Sequence, residues 1–211
     1  MDEPLLNSRV GAPLTRSKWG LWFVLGALAL SVFWFVDLPL VTTQTTHGAH
    51  LAQKLPVLVP HMICGFVALF IGPLQFSSRL RQGNLKRHRL LGKIYVCAII
   101  AGAIGGYLLV WGNHTPFGAA VDVLASLWLV TAVVAYVTAR KRQIVQHRQW
   151  MIRSYSVTFF FVVDRVPFEF PSFQPSEAGN VGLILTLCIL AILIPDIAFA
   201  WPIIMGRRKS P

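Results

Sequence analysis

Six apolar stretches punctuate this 211-residue chain, at residues 19–41, 55–76, 92–111, 119–139, 152–170 and 180–204. Each is close to the ~20 residues that a helix needs to cross a hydrocarbon layer. In lipid every backbone N–H and C=O must find its partner inside the protein, and a helix does this within one segment. The expected fold is therefore all-α, an integral membrane six-helix bundle. Composition agrees: 55% of residues are hydrophobic and 13% charged, whereas about a quarter are charged in a soluble domain. So apolar a chain is not a disordered one either. The fifth stretch is the weakest, because Asp164, Arg165, Pro167 and Glu169 interrupt its end although its centre, SYSVTFFFVV, is apolar.

The charges orient the bundle. Lys and Arg number 19 against 8 Asp and Glu, a formal charge of +11. Of these cations 17 fall in the N-terminal segment, the loops after the second and fourth stretches, and the C-terminal tail, leaving only Lys54 and Arg165 on the other side. The positive-inside rule then puts both termini in the cytoplasm and the protein, multi-pass, in the cell inner (plasma) membrane. Because the charge alternates with apolar segments instead of collecting on a soluble face, it reads as attraction to anionic lipid headgroups, roughly 1 kcal/mol per basic residue, and not as nucleic-acid binding. Residues 1–18 form a cytoplasmic segment that contains Asp2 and Glu3, and the apolar run Leu21–Val36 exceeds the core of a cleaved leader, so the first span is expected to stay as an anchor. The membrane domain is 19–204, with its functional core at about 55–170 and a basic tail at 205–211. Cys64, Cys97 and Cys188 sit in spans without a C-x-x-C pattern and read as packing residues.

A faint repeat relates the middle spans. HRLLGKIY begins at His88 and HRQWMIRSY at His147, each following a basic loop. A pseudo-symmetry axis along the membrane normal would set His88 and His147 at equal depth on opposite sides of it. The plainer account is that basic loops recruit His and Arg by composition. The third span carries Ala98, Gly102 and Gly106 at a spacing of four, a small-residue stripe that lets a second backbone, or a flat ligand, come close.

Ionisable groups inside a span cost ~2.5–3.5 kcal/mol each on insertion scales and are functional candidates by default. Asp37, His61, Asp122, Asp164, Arg165 and Glu169 all fall in the outer part of the bilayer, which suggests a polar chamber opening outward; Asp196 lies nearer the cytoplasm. A structural ion pair of Arg165 with Asp122 or Asp37 is the simpler alternative. His61 follows Pro60, a pairing suited to a first helical turn, where the helix dipole disfavours an imidazolium and leaves the ring able to accept a proton or bind a metal. Gly72 and Pro73 predict a bend near the inner end of the second span.

Three stretches together, HMICGFVALFIGPLQF, RHRLLGKIYV and HRQWMIRSYSVT, are similar to the bacterial membrane proteins grouped as domain of unknown function 2306. The resemblance covers roughly residues 55–165 and marks His61, Gln75, His88, Arg89, Gly92, Tyr95, His147, Arg148, Trp150 and Arg153 as motif positions; it supplies no reaction. More distantly the chain resembles transmembrane b-type haem proteins, which hold iron between paired histidines. That resemblance implies His88 and His147 as axial metal ligands, with Arg89 and Arg148 on the haem propionates. Helix capping, or contact with lipid phosphates, is the alternative role for this pair. An outer pair does not form, since Asp122 stands at the depth of His61, and His47, His50 and His114 lie in loops.

The reading that results is a membrane electron-transfer component using one haem b, with quinone or another small apolar molecule as partner. His61 with Asp122 or Asp164 would handle protons on the outer side. Its rivals are a transporter or binder of a small or lipid-like molecule anchored by Arg165, and a non-catalytic subunit that docks another membrane protein. No H-E-x-x-H, G-x-S-x-G or P-loop is present, so a metalloprotease, an α/β-hydrolase and an ATPase are disfavoured.

Overall fold

Residues 15–34, 53–165 and 175–204 are described in a computed structural model, and every regular element among them is a helix. There are seven among the described residues: α1 (Thr15–Val32), α2 (Leu55–Gln75), α3 (Ser78–Gly83), α4 (Leu85–Leu109), α5 (Pro116–Arg140), α6 (Ile144–Val163) and α7 (Glu177–Ile204). Four of them, α2, α4, α5 and α7, are long and apolar enough to cross a membrane. In α1 the apolar part is the shorter run Trp22–Val32. The rest of the first expected span, including Asp37, lies outside the described residues, as do His47, His50 and Glu169.

Local chemistry sets the helix ends. Asn84 starts α4 by accepting the Arg87 N–H on its Oδ1 at 2.9 Å, and Thr115 starts α5 by accepting the Gly118 N–H at 3.3 Å, with Pro116 in the position where a missing N–H costs nothing. At the far end of α4, Lys54 donates to the Leu109 carbonyl at 2.7 Å, satisfying a group that the helix leaves open. The reversal from α5 into α6 turns on Arg142, whose φ of 58° is the left-handed conformation that ends a helix.

Two starts differ from the sequence expectation. Apolar runs were expected from 92 and 152, but the helices begin at Leu85 and Ile144. Hydropathy marks only the lipid-matched part of a helix, while a polar cap and hydrogen bonding extend it beyond the apolar core. At 25 residues and ~1.5 Å per residue, α4 outreaches the ~30 Å hydrocarbon layer. Hence His88, Arg89, His147 and Arg148 lie in the first two turns of helices and not in loops. At its other end α6 stops at Val163, so Asp164 and Arg165 follow the helix.

Helices α2, α4, α5 and α6 form a closed ring, each in contact with the next and α6 returning to α2. Helix α7 covers α5 and α6, and α1 rests on α6. Tyr95, Ile99, Ala103, Trp128, Ala132, Ala135 and Val157 fill the ring and are almost entirely buried. A second cluster joins Leu25 and Ala29 of α1 to Leu69 of α2, with Phe66, Phe159 and Val162 beside them. Outward faces keep large apolar side chains exposed, among them Ile104, Val123, Val130 and Leu193, as expected of surfaces wetted by lipid tails.

The small-residue stripe on α4 is spent within the chain. Ala98, Gly102, Gly105 and Gly106 are all buried; a Cβ at Gly102 would lie 2.8 Å from the Trp128 ring, and one at Gly105 3.0 Å from the Cβ of His61. The stripe seats a tryptophan and a histidine of neighbouring helices. On α2, Pro73 has no N–H for the Leu69 carbonyl, four residues earlier. The Tyr155 hydroxyl of α6 donates to that carbonyl at 3.3 Å, and its ring occupies the space where a Cβ on Gly72 would stand.

Candidate functional site

His61 lies in the second turn of α2, with Pro60 also inside the helix. The first-turn dipole argument therefore does not apply, because that field fades beyond the terminal turn. Contact with α4 fixes the ring instead: Nδ1 is 2.7 Å from the Gly102 carbonyl. A carbonyl only accepts, so Nδ1 carries the proton and the neutral ring offers a lone pair at Nε2. The ring also lies 5.6 Å from that of Phe161, and the residue is 6% exposed.

Beside His61 opens a recess lined also by Trp128, Thr158, Phe161, Val162 and Arg165 and by Val32 and Phe66 of the flanking helices. It is open at its mouth, and its enclosed part is small, about 40 Å³. Trp128 forms part of its floor, stacked on Phe161 at 5.8 Å and 18°. Its Nε1–H donates to Thr158 Oγ1 at 2.9 Å, and Thr158 donates in turn to the Ser154 carbonyl at 3.0 Å. The Tyr95 hydroxyl lies 3.0 Å from Ser154 Oγ. A fully buried polar network thus ties α4, α5 and α6 together, and such networks stay rigid when each member is satisfied. Arg165 stands at the edge of the recess, its guanidinium 5.7 Å from the Phe161 ring, within electrostatic reach of both His61 and Asp164.

The outer ionisable residues are only partly gathered. His61, Asp164 and Arg165 occupy one end of the ring, but Asp164 faces a separate, small and apolar recess against Ile184 and Cys188 of α7. Its buried Oδ1 has no hydrogen-bond partner. Asp122 is exposed and is not among the residues lining the His61 recess; its backbone carbonyl accepts from Ser126, which meets the Tyr107 hydroxyl at 2.7 Å. Among the described residues, His61 and Arg165 are the members of the expected chamber that line this recess; Asp37 and Glu169 lie outside the described residues.

At the opposite, basic end, His88 and His147 do approach, within electrostatic reach of one another. His147 donates from Nδ1 to the Ala135 carbonyl at 2.8 Å, leaving Nε2 as its acceptor atom. His88 Nδ1 is buried with no partner. Arg89 and Arg148 are exposed beside them. A porphyrin slot reaching inward from this pair would open the residues below to a water-sized contact. Yet Tyr95, Ile99, Ala132 and Ala135 show 0% exposure and Met151 6%, so α4, α5 and α6 close on one another there. Among the described residues no group of three or more His, Cys, Asp or Glu is placed to hold a metal ion.

Sequence reasoning missed Trp128, Thr158 and Phe161, which line the recess, and the partner of Asp196. Arg153 Nε donates to Asp196 Oδ1 at 2.8 Å, and the guanidinium is sandwiched between Trp150 and Phe199, at 4.9 and 5.4 Å. A signal for the pair was available: a motif arginine at the start of one apolar segment and an acidic residue alone in another, on the same side.

A family model described as a predicted membrane protein (DUF2306) matches residues 58–204, extending the resemblance through α7. No curated protein and no solved structure matches the chain.

Proposed function

Starting from the family of predicted membrane proteins DUF2306, to which this chain belongs, we propose that it binds a small amphipathic molecule in the recess between α1, α2, α5 and α6. The observation that carries this reading is the lining of the recess: apolar on most sides, with His61, Thr158 and Arg165 among its polar features. Sites for small ligands combine that kind of apolar wall with a few convergent polar groups. Arg165 suits an anionic or carbonyl oxygen, and neutral His61, with Nδ1–H committed to Gly102, suits a hydroxyl donor. A carboxylic acid offers a carbonyl oxygen and a hydroxyl, and a quinone in its reduced form offers two hydroxyls, one donating to His61 while the oxygen of the other accepts from Arg165; the apolar body would lie against Trp128, Phe161 and Phe66. His61 and Arg165 are the binding residues; Asp164, behind Phe161, is a reserve of negative charge near Arg165.

The test uses purified full-length protein in detergent, with dodecanoate and a short-chain benzoquinol as probes. A saturable rise in unfolding temperature that is lost in Arg165→Gln and reduced in His61→Leu supports the reading. No rise with either probe, or an equal rise in Arg165→Gln, overturns it.

We also propose that the chain spans a bacterial inner membrane six times with both termini cytoplasmic, α1 and α6 supplying the two spans beyond the four apolar ones. Supporting this, ten Lys and Arg lie between residues 79 and 148, in α3, the first three turns of α4, the last turn of α5 and the first two turns of α6, or in the turns between them. A reporter that fluoresces only in the cytoplasm, fused after residue 211, should light up; a dark, full-length fusion would reverse the orientation.

Electron transfer through haem b is the second reading, favoured by the approach of His88 and His147 and opposed by the closed packing beneath them. When bound, haem would supply one-electron chemistry; His147, oriented by the Ala135 carbonyl, is the better placed ligand. A Soret band in protein from haem-replete cells, lost in His147→Ala, would establish it, and colourless protein would end it.

A further inference from the structure

Two buried polar atoms at the basic end have no partner: Nε2 of Gln75 and Nδ1 of His88. They belong to one place. Gln75 ends α2, is 6% exposed, and sets its Oε1 3.3 Å from where a Cβ on Gly92 would stand. Gly92 is one helical turn beyond His88 on the same face of α4. The carboxamide and the imidazole therefore share the groove between the last turn of α2 and the first turns of α4.

A carboxamide nitrogen only donates, so it is satisfied only by an acceptor, and buried donors left unpaired are rare because desolvation is costly. The protein brings no carboxylate to that groove among the described residues: Asp122, Asp164 and Glu177 lie toward the other end, and Asp196 is held by Arg153. What surrounds the groove is positive. His147, Arg81 and Arg89 all act on His88, and no acidic group is among them. Water could accept from Gln75, but it would leave the field of the two guanidinium groups unanswered; an anion answers both.

We propose that Gln75, His88, Arg81 and Arg89 form an anion site that takes a phosphate group, supplied by an anionic lipid headgroup or by free phosphate. Gln75 is the buried donor that makes this a site and not a diffuse basic surface. Tetrahedral oxygens accept from donors arriving from several directions, and arginine matches them as a planar fork. The site is at the opposite end from the His61 recess and stands or falls without it. It needs His88 free of iron.

The experiment measures the unfolding temperature of full-length protein in two settings. One is a titration with inorganic phosphate against chloride at equal ionic strength; the other compares phosphatidylcholine nanodiscs with and without phosphatidylglycerol. Stabilisation by phosphate in detergent assigns a soluble anion, and stabilisation by phosphatidylglycerol alone assigns the headgroup. In either case Gln75→Leu and Arg89→Gln should weaken the half-saturation point about tenfold or more, the scale of one charge-assisted donor, while Lys141→Gln, on the exposed turn after α5, should not. Arg89 is exposed, so its variant carries the test if Gln75→Leu does not fold. Absence of stabilisation in both settings, unchanged half-saturation in Arg89→Gln, or equal weakening in Lys141→Gln overturns the proposal.

Discussion

Replacing Gly102 by Ala tests the packing that seats the recess. A Cβ there would lie 2.8 and 2.9 Å from two ring carbons of Trp128 and 3.3 Å from the Cβ of Cys64, against the ~3.5–4.0 Å at which carbon atoms attract. The tryptophan cannot easily retreat, being 2% exposed, tied by its N–H to Thr158 and stacked on Phe161. Overpacking of this kind costs about 1–3 kcal/mol. Gly65→Ala on α2 is the reference, because a Cβ there meets nothing within 4 Å, and the helix-propensity gain of about 1 kcal/mol is common to both. Their difference isolates the clash. At ~2–4 °C per kcal/mol for a chain of this size, Gly102→Ala should melt about 2–12 °C below Gly65→Ala in detergent, followed by tryptophan fluorescence or scanning calorimetry. Trp128→Phe removes the two clashing ring carbons, so Gly102→Ala should cost less in that background than alone. Equal melting temperatures for the two alanine variants, or strict additivity with Trp128→Phe, would refute the claim that α4 and α5 meet through this contact.

Thr158→Val keeps the side-chain shape but strands the buried indole N–H of Trp128; a loss of about 1–3 kcal/mol is expected, and a change near zero would mean that the indole finds another acceptor. Tyr155→Phe should cost about 0.5–1.5 kcal/mol and clearly less in a Pro73→Ala background, where α2 regains an N–H for the Leu69 carbonyl; a double-mutant cycle in thermal unfolding reads this coupling. Arg153→Leu should destabilise by roughly 1–2 kcal/mol, moderate because Asp196 is 42% exposed and solvent screens the pair. Arg153→Lys should recover only part, since it keeps the charge but not the stacking on Trp150 and Phe199. Full rescue by Lys would show that the charge alone matters.

The site was legible in proportion to how much of it rests on charge. His61 and Arg165 stand out in an apolar sequence because burying either is costly, and both line the recess. Trp128, Thr158 and Phe161 carry no such mark: an aromatic or a threonine in a span is equally at home facing lipid. Only the rotation of α5 and α6 turns them inward. Asp122 shows the converse, since depth along a helix follows from residue count, whereas the face it occupies depends on how that helix packs. The Gly105 contact was missed because the stripe was read at a strict spacing of four, while the 3.6-residue turn brings Gly105 beside Gly106 under the His61 ring.

What the sequence determines by itself is that the chain is helical and belongs to a membrane, because long apolar runs in lipid leave the backbone no other way to satisfy its polar groups. It also determines where the cations collect. Tertiary structure decided which histidines, glycines and aromatics meet: His61 on Gly102, Tyr155 on the carbonyl that Pro73 abandons, Gln75 against Gly92. Hydrophobicity is a one-dimensional property that survives in the order of residues, but contact between helices depends on their rotation and shape, which no single segment encodes.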